Sequence, residues 1–534
     1  MGVYLNPSDS LFKRARNSDI YVDKSLMLAF TNSVLGSENC YLCVSRPRRF
    51  GKTMAANMLA AYYSKSCDSG ALFQDLAIAK HPSYAKYRNK YNVLFINTLE
   101  LWRHGRDFEG MCRRLVKLTL EGLNKLYPQI VWRETDFLSS LLRQVFEETG
   151  DKFVIIIDEW DCLLREVPSD SQILRSYLHF LQDLLKDKAY VALAYITGIL
   201  PVRKYGSQSA LNMFREYTMI NPAKLAEFVG FTDGEVKALS QRYECDYEEI
   251  RHWYDGYVLN NGLHIYSPCS VVRAIESGIC DNYWTSTESF ESLRQWIMMN
   301  FDGLRLAIER MLAGETCLVN VRPFNNSFSD INSRDTILSL LIHLGYLGYD
   351  FNSQSAYIPN QEIAEEFSGA ISQSDWGQLS KTLEDSRQAL QSVWDRDEEA
   401  VASAIERAHY ETSILDYNSE KALRYTVLFA FYMARRYYNV VQECPAGKGF
   451  ADMIFLPTPR YANKPALVIE LKWDNDANTA IRQIVEKNYL QALEGYSGQV
   501  LLVGISYDKE TKKHECQIRS VECGGWRVES GEWS

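Results

Sequence analysis

The sequence has no run of roughly eighteen apolar residues, which argues against a membrane-spanning helix. Its first residues, MGVYLNP, lack the basic segment followed by an apolar one that marks a signal peptide. Positive charge is also short: the formal net charge is −10, so no overall field draws in a polyanion and any nucleic-acid contact must come from a local patch. Twelve cysteines are scattered without the spacing of a disulfide framework or a zinc site, which fits a reducing cytoplasm. No long low-complexity linker and no internal repeat is present. These absences lead to the expectation of a soluble cytoplasmic protein with no membrane partner.

What is present is ordinary globular composition, 46% hydrophobic and 24% charged, over 534 residues. That length is too great for one core and points to about three domains. The chain is organised around Ser45–Thr53, SRPRRFGKT, set between the apolar run Cys40–Val44 and a helical pattern that begins near Thr53. A strand turning through Gly51 into a helix aims backbone N–H groups at a polyphosphate, and the helix N-terminus adds partial positive charge. Lys52 would then reach the terminal phosphates and Thr53 would hold Mg²⁺. The usual phosphate loop has glycine where this chain has Arg46, and a bare Gly-Lys-Thr also fits a surface turn. A second motif shifts the balance. Lys152–Glu159, KFVIIIDE, reads as a buried parallel strand ending in two carboxylates. Asp158 would complete the magnesium shell and Glu159 would polarise the attacking water.

Around these motifs, strands and helices alternate. Met54–Tyr63, Leu101–Leu126, Phe137–Glu148 and Ile173–Lys186 carry helical periodicity, while Tyr91–Asn97 and Tyr190–Gly198 read as core strands. The alternation predicts a parallel sheet with ligands at the carboxyl ends of its strands, where Thr197 would sense the terminal phosphate. Beyond Pro201 the alternation stops, with Arg203, Lys204 and Arg215 in a polar loop. Residues 225–315 look mainly helical, with turns at Trp253–Tyr257 and Ile265–Pro268 that read as packing corners. Thr336–Leu344 followed by GYLGY and AYIP is compatible with a small winged-helix-like unit.

The last hundred residues hold a second constellation. Val440–Glu443, Phe450–Leu456 and Ala466–Lys472 read as strands, with a tight turn at Gly447–Gly449 and a closing strand at Val500–Ile505. Glu470 and Lys472, two apart on one strand, leave the same face. With Asp452 on the neighbouring strand, two carboxylates and an ammonium converge, the set that can hold Mg²⁺ and orient a nucleophilic water. A helix over Thr479–Leu493 would bring Gln483 and Tyr489 to that side. Glu-x-Lys alone is more often an edge-strand ion pair.

Taken in order, the motifs resemble the prokaryotic AAA-ATPase-like proteins that carry a C-terminal PD-(D/E)XK nuclease-superfamily domain. The resemblance rests on YVDK at Tyr21–Lys24, RPRRFGKT at Arg46–Thr53, IIDEWD at Ile156–Asp161, ITG at Ile196–Gly198, YDGY at Tyr254–Tyr257, YSP at Tyr266–Pro268 and GYLGY from Gly345. It continues through Phe450–Asp452, Val468–Lys472 and QIVEKNY from Gln483. Such a family implies nucleotide contacts along Arg46, Pro47, Arg48, Arg49, Phe50, Gly51, Lys52 and Thr53, with Asp158 and Thr197 opposite. It also implies a nuclease core of Asp452, Glu470, Lys472 and Gln483.

The fold expected from the resemblance is multidomain α/β. Residues 1–222 would form an AAA-like P-loop ATPase domain and 223–375 a helical and winged-helix-like region. Residues 376–534 would form a helical lead-in and a restriction-endonuclease-like domain. ATP and Mg²⁺ are the implied cofactors, with Mn²⁺ as an alternative at the nuclease site. Nucleic acid, DNA ahead of RNA, is the implied partner, and a homo-oligomer the form in which AAA-like ATPases often complete their sites. The expected activity is ATP hydrolysis that regulates a metal-dependent phosphodiesterase. The alternative is a nucleotide-dependent switch whose C-terminal domain binds without cleaving, which the acidic charge favours slightly.

Overall fold

A computed structural model describes residues 2–521 apart from 106, 134, 203–210, 285–288, 299–300, 302, 323, 325–330, 373–377, 412–419, 459–460 and 494–495. Arg203 and Lys204 lie outside the described residues. The chain forms two compact units. The first comprises Met1–Tyr247, Asp255–Ile279 and Cys317–Pro359, and the second Glu248–Tyr254, Cys280–Thr316 and Asn360–Ser534.

The first unit is built on five parallel strands: β1 (Tyr41–Ser45), β2 (Asn92–Asn97), β3 (Phe153–Asp158), β4 (Val191–Gly198) and β5 (Arg215–Tyr217). Their order is β2-β3-β4-β1-β5, so β4 separates the phosphate-loop strand β1 from the acidic strand β3. All six residues of β3 and all eight of β4 are buried. Their uninterrupted apolar runs are what a parallel strand covered on both faces requires. The C-terminal ends of β1, β3 and β4 come level, with Thr197 in register with both Val44 and Asp158. The strand β5 is a departure from the expected polar loop. Its three residues, Arg-Glu-Tyr, are too short and polar to show a strand period, and pairing with β1 alone makes them one.

Among the helices, Lys52–Tyr63 follows the phosphate loop directly. The helix expected over Leu101–Leu126 is instead two, Thr98–Gly105 and Phe108–Leu126. Asp107 restarts it as an N-cap, its carboxylate accepting from Gly110 N at 2.5 Å. The single C-x-x-C spacing, Cys40 to Cys43, runs into β1 as two buried free thiols. Burial raises the first to about 11 and the second well above its ordinary value, so neither is poised for redox exchange.

Two small antiparallel sheets complete this unit. Strands β6 (Phe231–Thr232), β7 (Tyr257–Val258) and β8 (His264–Tyr266) are ordered β6-β8-β7. The two aromatic turns flank this sheet as packing corners: Tyr257 donates to Gly345 O at 2.6 Å, Tyr357 donates to Gly256 O at 2.8 Å, and Pro268 opens the helix Pro268–Ser277. Strands β9 (Cys317–Leu318), β10 (Gly348–Asp350) and β11 (Ser355–Tyr357) pair in the order β10-β11-β9, with the helix Arg334–Leu344 lying between β9 and β10 in the chain. A helix followed by a hairpin is the expected winged arrangement.

The second unit centres on a mixed sheet, β12 (Tyr438–Ala446), β13 (Gly449–Pro457), β14 (Ala466–Trp473), β15 (Val500–Asp508) and β16 (Lys513–Val521), in that spatial order. Only β14 and β15 are parallel, joined by a crossover through the helix Ala477–Glu486. Leu467, Ile469 and Leu471 pack on one face with residues of the helices Gln378–Trp394, Glu398–Glu411 and Glu420–Ala430. Ala466 and Val468 pack on the other with Ile481 and Ile484. This alternation puts Glu470 and Lys472 on the side of the crossover helix.

Candidate functional sites

The phosphate loop forms because two residues take left-handed backbone. Arg49 has φ +69° and Gly51 φ +90°, and Gly51 is the N-cap of the Lys52–Tyr63 helix. Thr53, exposed at the mouth, donates from Oγ1 to Asp158 Oδ2 at 2.7 Å. Lys52 is buried and folded back onto the loop, its Nζ donating to Pro47 O at 2.8 Å. Burial lowers its pKa while Glu159, Asp161 and Asp158 oppose the shift. Burial raises Asp158 to about 6, against the Thr53 hydrogen bond and with the charge of Glu159 adding to it. Lys52, Thr53, Asp158 and Glu159 are therefore brought together as the motifs implied.

Arg46 and Thr197 have other engagements. The Arg46 side chain is fully buried and runs beneath the loop toward β5, where Nη1 donates to Tyr217 O at 3.1 Å and to Ser45 O at 3.0 Å. At the position where the usual phosphate loop has glycine, the arginine side chain is a strut between loop and sheet edge. Among the described residues its hydrogen bonds go only to backbone carbonyls, and burial lowers its pKa to about 10. Thr197 donates to Val44 O at 2.9 Å, bridging β4 and β1. Arg48 is half-buried, and Phe50 is buried with its ring 5.5 Å from that of Tyr257.

Arg165 is a residue of this site to which no sequence motif points. It forms a very short ion pair with Glu159 and places Nε 3.3 Å from Asp161 Oδ2. Asp161 Oδ2 in turn accepts from Ile199 N at 3.1 Å and Leu200 N at 3.0 Å, fastening the end of β4. The only signal was an arginine four residues after Asp161, a helical spacing shared by many solvated pairs. Glu159 itself sits at φ +54°, a strained position for a side-chain-bearing residue.

Beside Gly51 lies a cavity of about 320 Å³ lined by Phe12, Tyr21, Phe50, Met54, Met58 and Phe228, among others. Tyr21 and Lys24 of the N-terminal YVDK line it as well, and Lys24 Nζ is fixed by Glu235 Oε2 at 2.6 Å and Glu227 O at 2.6 Å. The YVDK segment therefore forms part of the wall of this cavity.

In the second unit, β13 and β14 run antiparallel with Met453 opposite Ile469, so Asp452 and Glu470 follow at the end of the ladder. Asp452 Oδ2 accepts from Leu471 N at 2.8 Å. Glu470 Oε1 accepts from Lys472 Nζ at 3.0 Å and, at very short range, from Gln483 Nε2. Gln483 also donates to Tyr489 OH at 3.0 Å. Glu470 Oε2 is buried and, among the described residues, has no hydrogen-bond partner. Burial, then the charge of Asp452, raise the pKa of Glu470, with Lys472 opposing. Arg424 on the helix Glu420–Ala430, to which no sequence motif points, donates from Nη2 to Asp452 Oδ1 at 3.0 Å and forms a very short pair with Glu443. No spacing in the sequence links residues that far apart.

Both sites offer oxygen donors suited to Mg²⁺. In the first, the Thr53 hydroxyl and Asp158 carboxylate converge; in the second, Asp452 and Glu470 lie close enough for the charge of one to act on the other, and among the described residues one buried Glu470 oxygen has no partner. Among the described residues no group of three or more His, Cys, Asp or Glu could hold a metal ion.

These features define a P-loop nucleotide-binding sheet on one unit and a nuclease-like mixed sheet on the other. Residues 10–207 match the family described as predicted AAA-ATPase, and residues 419–516 match the PD-(D/E)XK nuclease superfamily. The chain thus joins an AAA-ATPase-like region to a PD-(D/E)XK nuclease-superfamily domain. A curated relative from Azotobacter chroococcum mcd 1, "Uncharacterized protein in vnfD 5'region", is 25% identical over 284 residues, covering 52% of each chain. The match therefore spans about half the length of that relative. The Aeropyrum pernix ORC2 protein in ADPNP-ADP complexes aligns with TM-score 0.30 and 13% identity over 67% of this chain and 97% of its own. Among the described residues no helix is long and apolar enough to cross a membrane.

Proposed function

We propose that this chain is an ATP-hydrolysing protein that regulates or positions a metal-dependent phosphodiesterase acting on nucleic acid, DNA ahead of RNA. The observation that carries the reading is the convergence of Asp452, Glu470, Lys472 and Gln483 at the end of the β13–β14 ladder, with one Glu470 oxygen buried and unused. A structural ion pair has no need of an orphaned carboxylate oxygen, which is costly to bury. Asp452 and Glu470 would hold Mg²⁺ or Mn²⁺, which lowers the pKa of a bound water and steadies the leaving oxygen. Lys472, two residues from Glu470 on one face, orients the water, and Gln483 keeps the glutamate in its rotamer.

In the first unit the nucleotide base enters the apolar cavity beside Gly51 and the polyphosphate lies on the amides opening the Lys52–Tyr63 helix. Lys52 leaves Pro47 O for the phosphates, Thr53 and Asp158 would hold Mg²⁺, and Glu159, once free of Arg165, polarises the water. A homo-oligomer supplying an arginine to this site fits the AAA-like class, and a role in defence against or maintenance of mobile DNA fits the family resemblance.

Purified protein and the Glu470→Ala, Lys472→Ala double variant would be incubated with labelled linear DNA, supercoiled DNA and RNA, with Mg²⁺ or Mn²⁺, with and without ATP. Cleavage by the wild type alone, modulated by ATP, is the expected result. Absence of cleavage under every condition overturns the nuclease reading in favour of a binding switch.

A further inference from the structure

Resting on that reading of the second unit, we infer that Arg424 is a positioning residue that stands in for the divalent cation at Asp452 when the site holds none. Three observations combine. Arg424 reaches across from the helix Glu420–Ala430 and donates to Asp452 Oδ1 at 3.0 Å, while Leu471 N takes Oδ2 at 2.8 Å, so both oxygens of the carboxylate are engaged. The second arm of the guanidinium is fastened by Glu443, at a position of β12 with φ +48° where the ladder to β13 skips from Gln442↔Met453 to Cys444↔Ala451. Glu443 is thus turned by a local irregularity in β12, and the arginine it holds is fixed between two carboxylates. Finally, Arg424 Nε is buried and has no hydrogen-bond partner among the described residues, where only the two outer arms of the fork are used.

The charges explain the arrangement. Asp452 and Glu470 lie side by side, and Lys472 pairs with Glu470 alone. Without Arg424, Asp452 would have a single neutral N–H for company, and two facing carboxylates would repel. A guanidinium is the group best suited to hold a carboxylate in a fixed plane, because its donors form a rigid fork. A cation coordinated by Asp452 and Glu470 would sit next to that guanidinium, so Arg424 must give up Oδ1 or share it against charge repulsion. Glu443 gives it a place to retreat to. Arg424 therefore orders the site before a cation binds and sets the metal concentration at which the site loads.

The test is Mn²⁺ binding followed by calorimetry and electron paramagnetic resonance on the full chain, with no turnover measured. The binding lost in D452N identifies the nuclease-like site. R424Q is expected to bind Mn²⁺ there about fivefold or more tightly than wild type, because a like charge is removed from the ligand's side. The melting temperature of R424Q without metal should fall, and Mn²⁺ should raise it more than in wild type. R424K, which keeps the charge on a single point and loses the fork, is expected to lie between the two and serves if R424Q does not fold. Unchanged or weaker Mn²⁺ binding in a folded R424Q or R424K overturns the inference while leaving the metal site standing. Mn²⁺ binding that D452N leaves untouched overturns both the inference and the nuclease reading beneath it.

Discussion

Arg165 holds the Glu159 carboxylate in a very short ion pair and sets its Nε 3.3 Å from Asp161 Oδ2. The residue proposed to polarise water is thereby turned toward a helix of its own unit, away from free use. Arg165 is only 14% exposed, so water screens the pair less than at an open surface. Releasing Glu159 should raise basal ATP turnover. The expected change for Arg165→Gln is an increase of roughly fivefold, the rate equivalent of about 1 kcal/mol in one ion pair. Steady-state phosphate release at saturating ATP measures it; a fall in turnover would show that the arginine orients Glu159 for the reaction.

Lys52 folds onto Pro47 O when no phosphate competes for it, and its burial already weakens the hold on its proton. Lys52→Ala is expected to weaken ATP binding by roughly tenfold or more, since a charge-assisted contact to the phosphates is removed. A fluorescent ATP analogue titrated into wild type and variant reads this directly. The same variant tests communication between the two sites: if it cleaves DNA without ATP as fast as wild type with ATP, the two activities are independent.

How far these sites were legible follows from the kind of signal each residue leaves. β3 and β4 announced themselves by apolar runs, and the acids at the end of β3 could be placed because a strand fixes its last residue at the sheet edge. Glu470, Lys472 and Gln483 were readable from period two on a strand and a following helix. Arg165, Arg424 and Glu443 left no comparable trace, because their partners are chosen by tertiary packing across 6 to 28 positions of sequence. β5 escaped for a related reason, its pairing with β1 supplying what its sequence lacks. Arg46 was expected to face the nucleotide from its place in the loop, yet its length lets the guanidinium leave toward Tyr217 O.

Gly256 in the Asp255–Tyr257 corner has φ +120°, and a Cβ there would stand 1.8 Å from Pro359 O. Neither the backbone nor the carbonyl can yield cheaply, since Tyr357 of β11 donates to Gly256 O at 2.8 Å. Gly256→Ala is expected to destabilise the first unit by more than about 3 kcal/mol, combining left-handed strain with a backbone clash. Thermal melting monitored by circular dichroism checks it. Gly262→Ala, at φ +77° with nothing within 4 Å of its Cβ, is the matched control and should cost about 1 kcal/mol.

His514 lies in β16 with its ring 4.9 Å from that of Tyr507 and 5.2 Å from that of His409. Burial, then the neighbouring His409, hold its pKa down to about 3. In the unfolded chain a histidine titrates near 6.5, so between roughly pH 6.5 and 3 the unfolded state takes up a proton that the folded state refuses. Stability contributed by neutral His514 is therefore complete above about pH 6.5 and declines as pH falls, by up to about 1.4 kcal/mol per pH unit. Replacing it with an aromatic ring that cannot titrate removes this slope. Urea unfolding of wild type and His514→Phe across pH 7.5 to 4.5 should show the two stabilities converging, or crossing in favour of the variant, as pH falls. A constant difference over that interval would mean that the folded state accepts the proton at His514 as readily as the unfolded chain does.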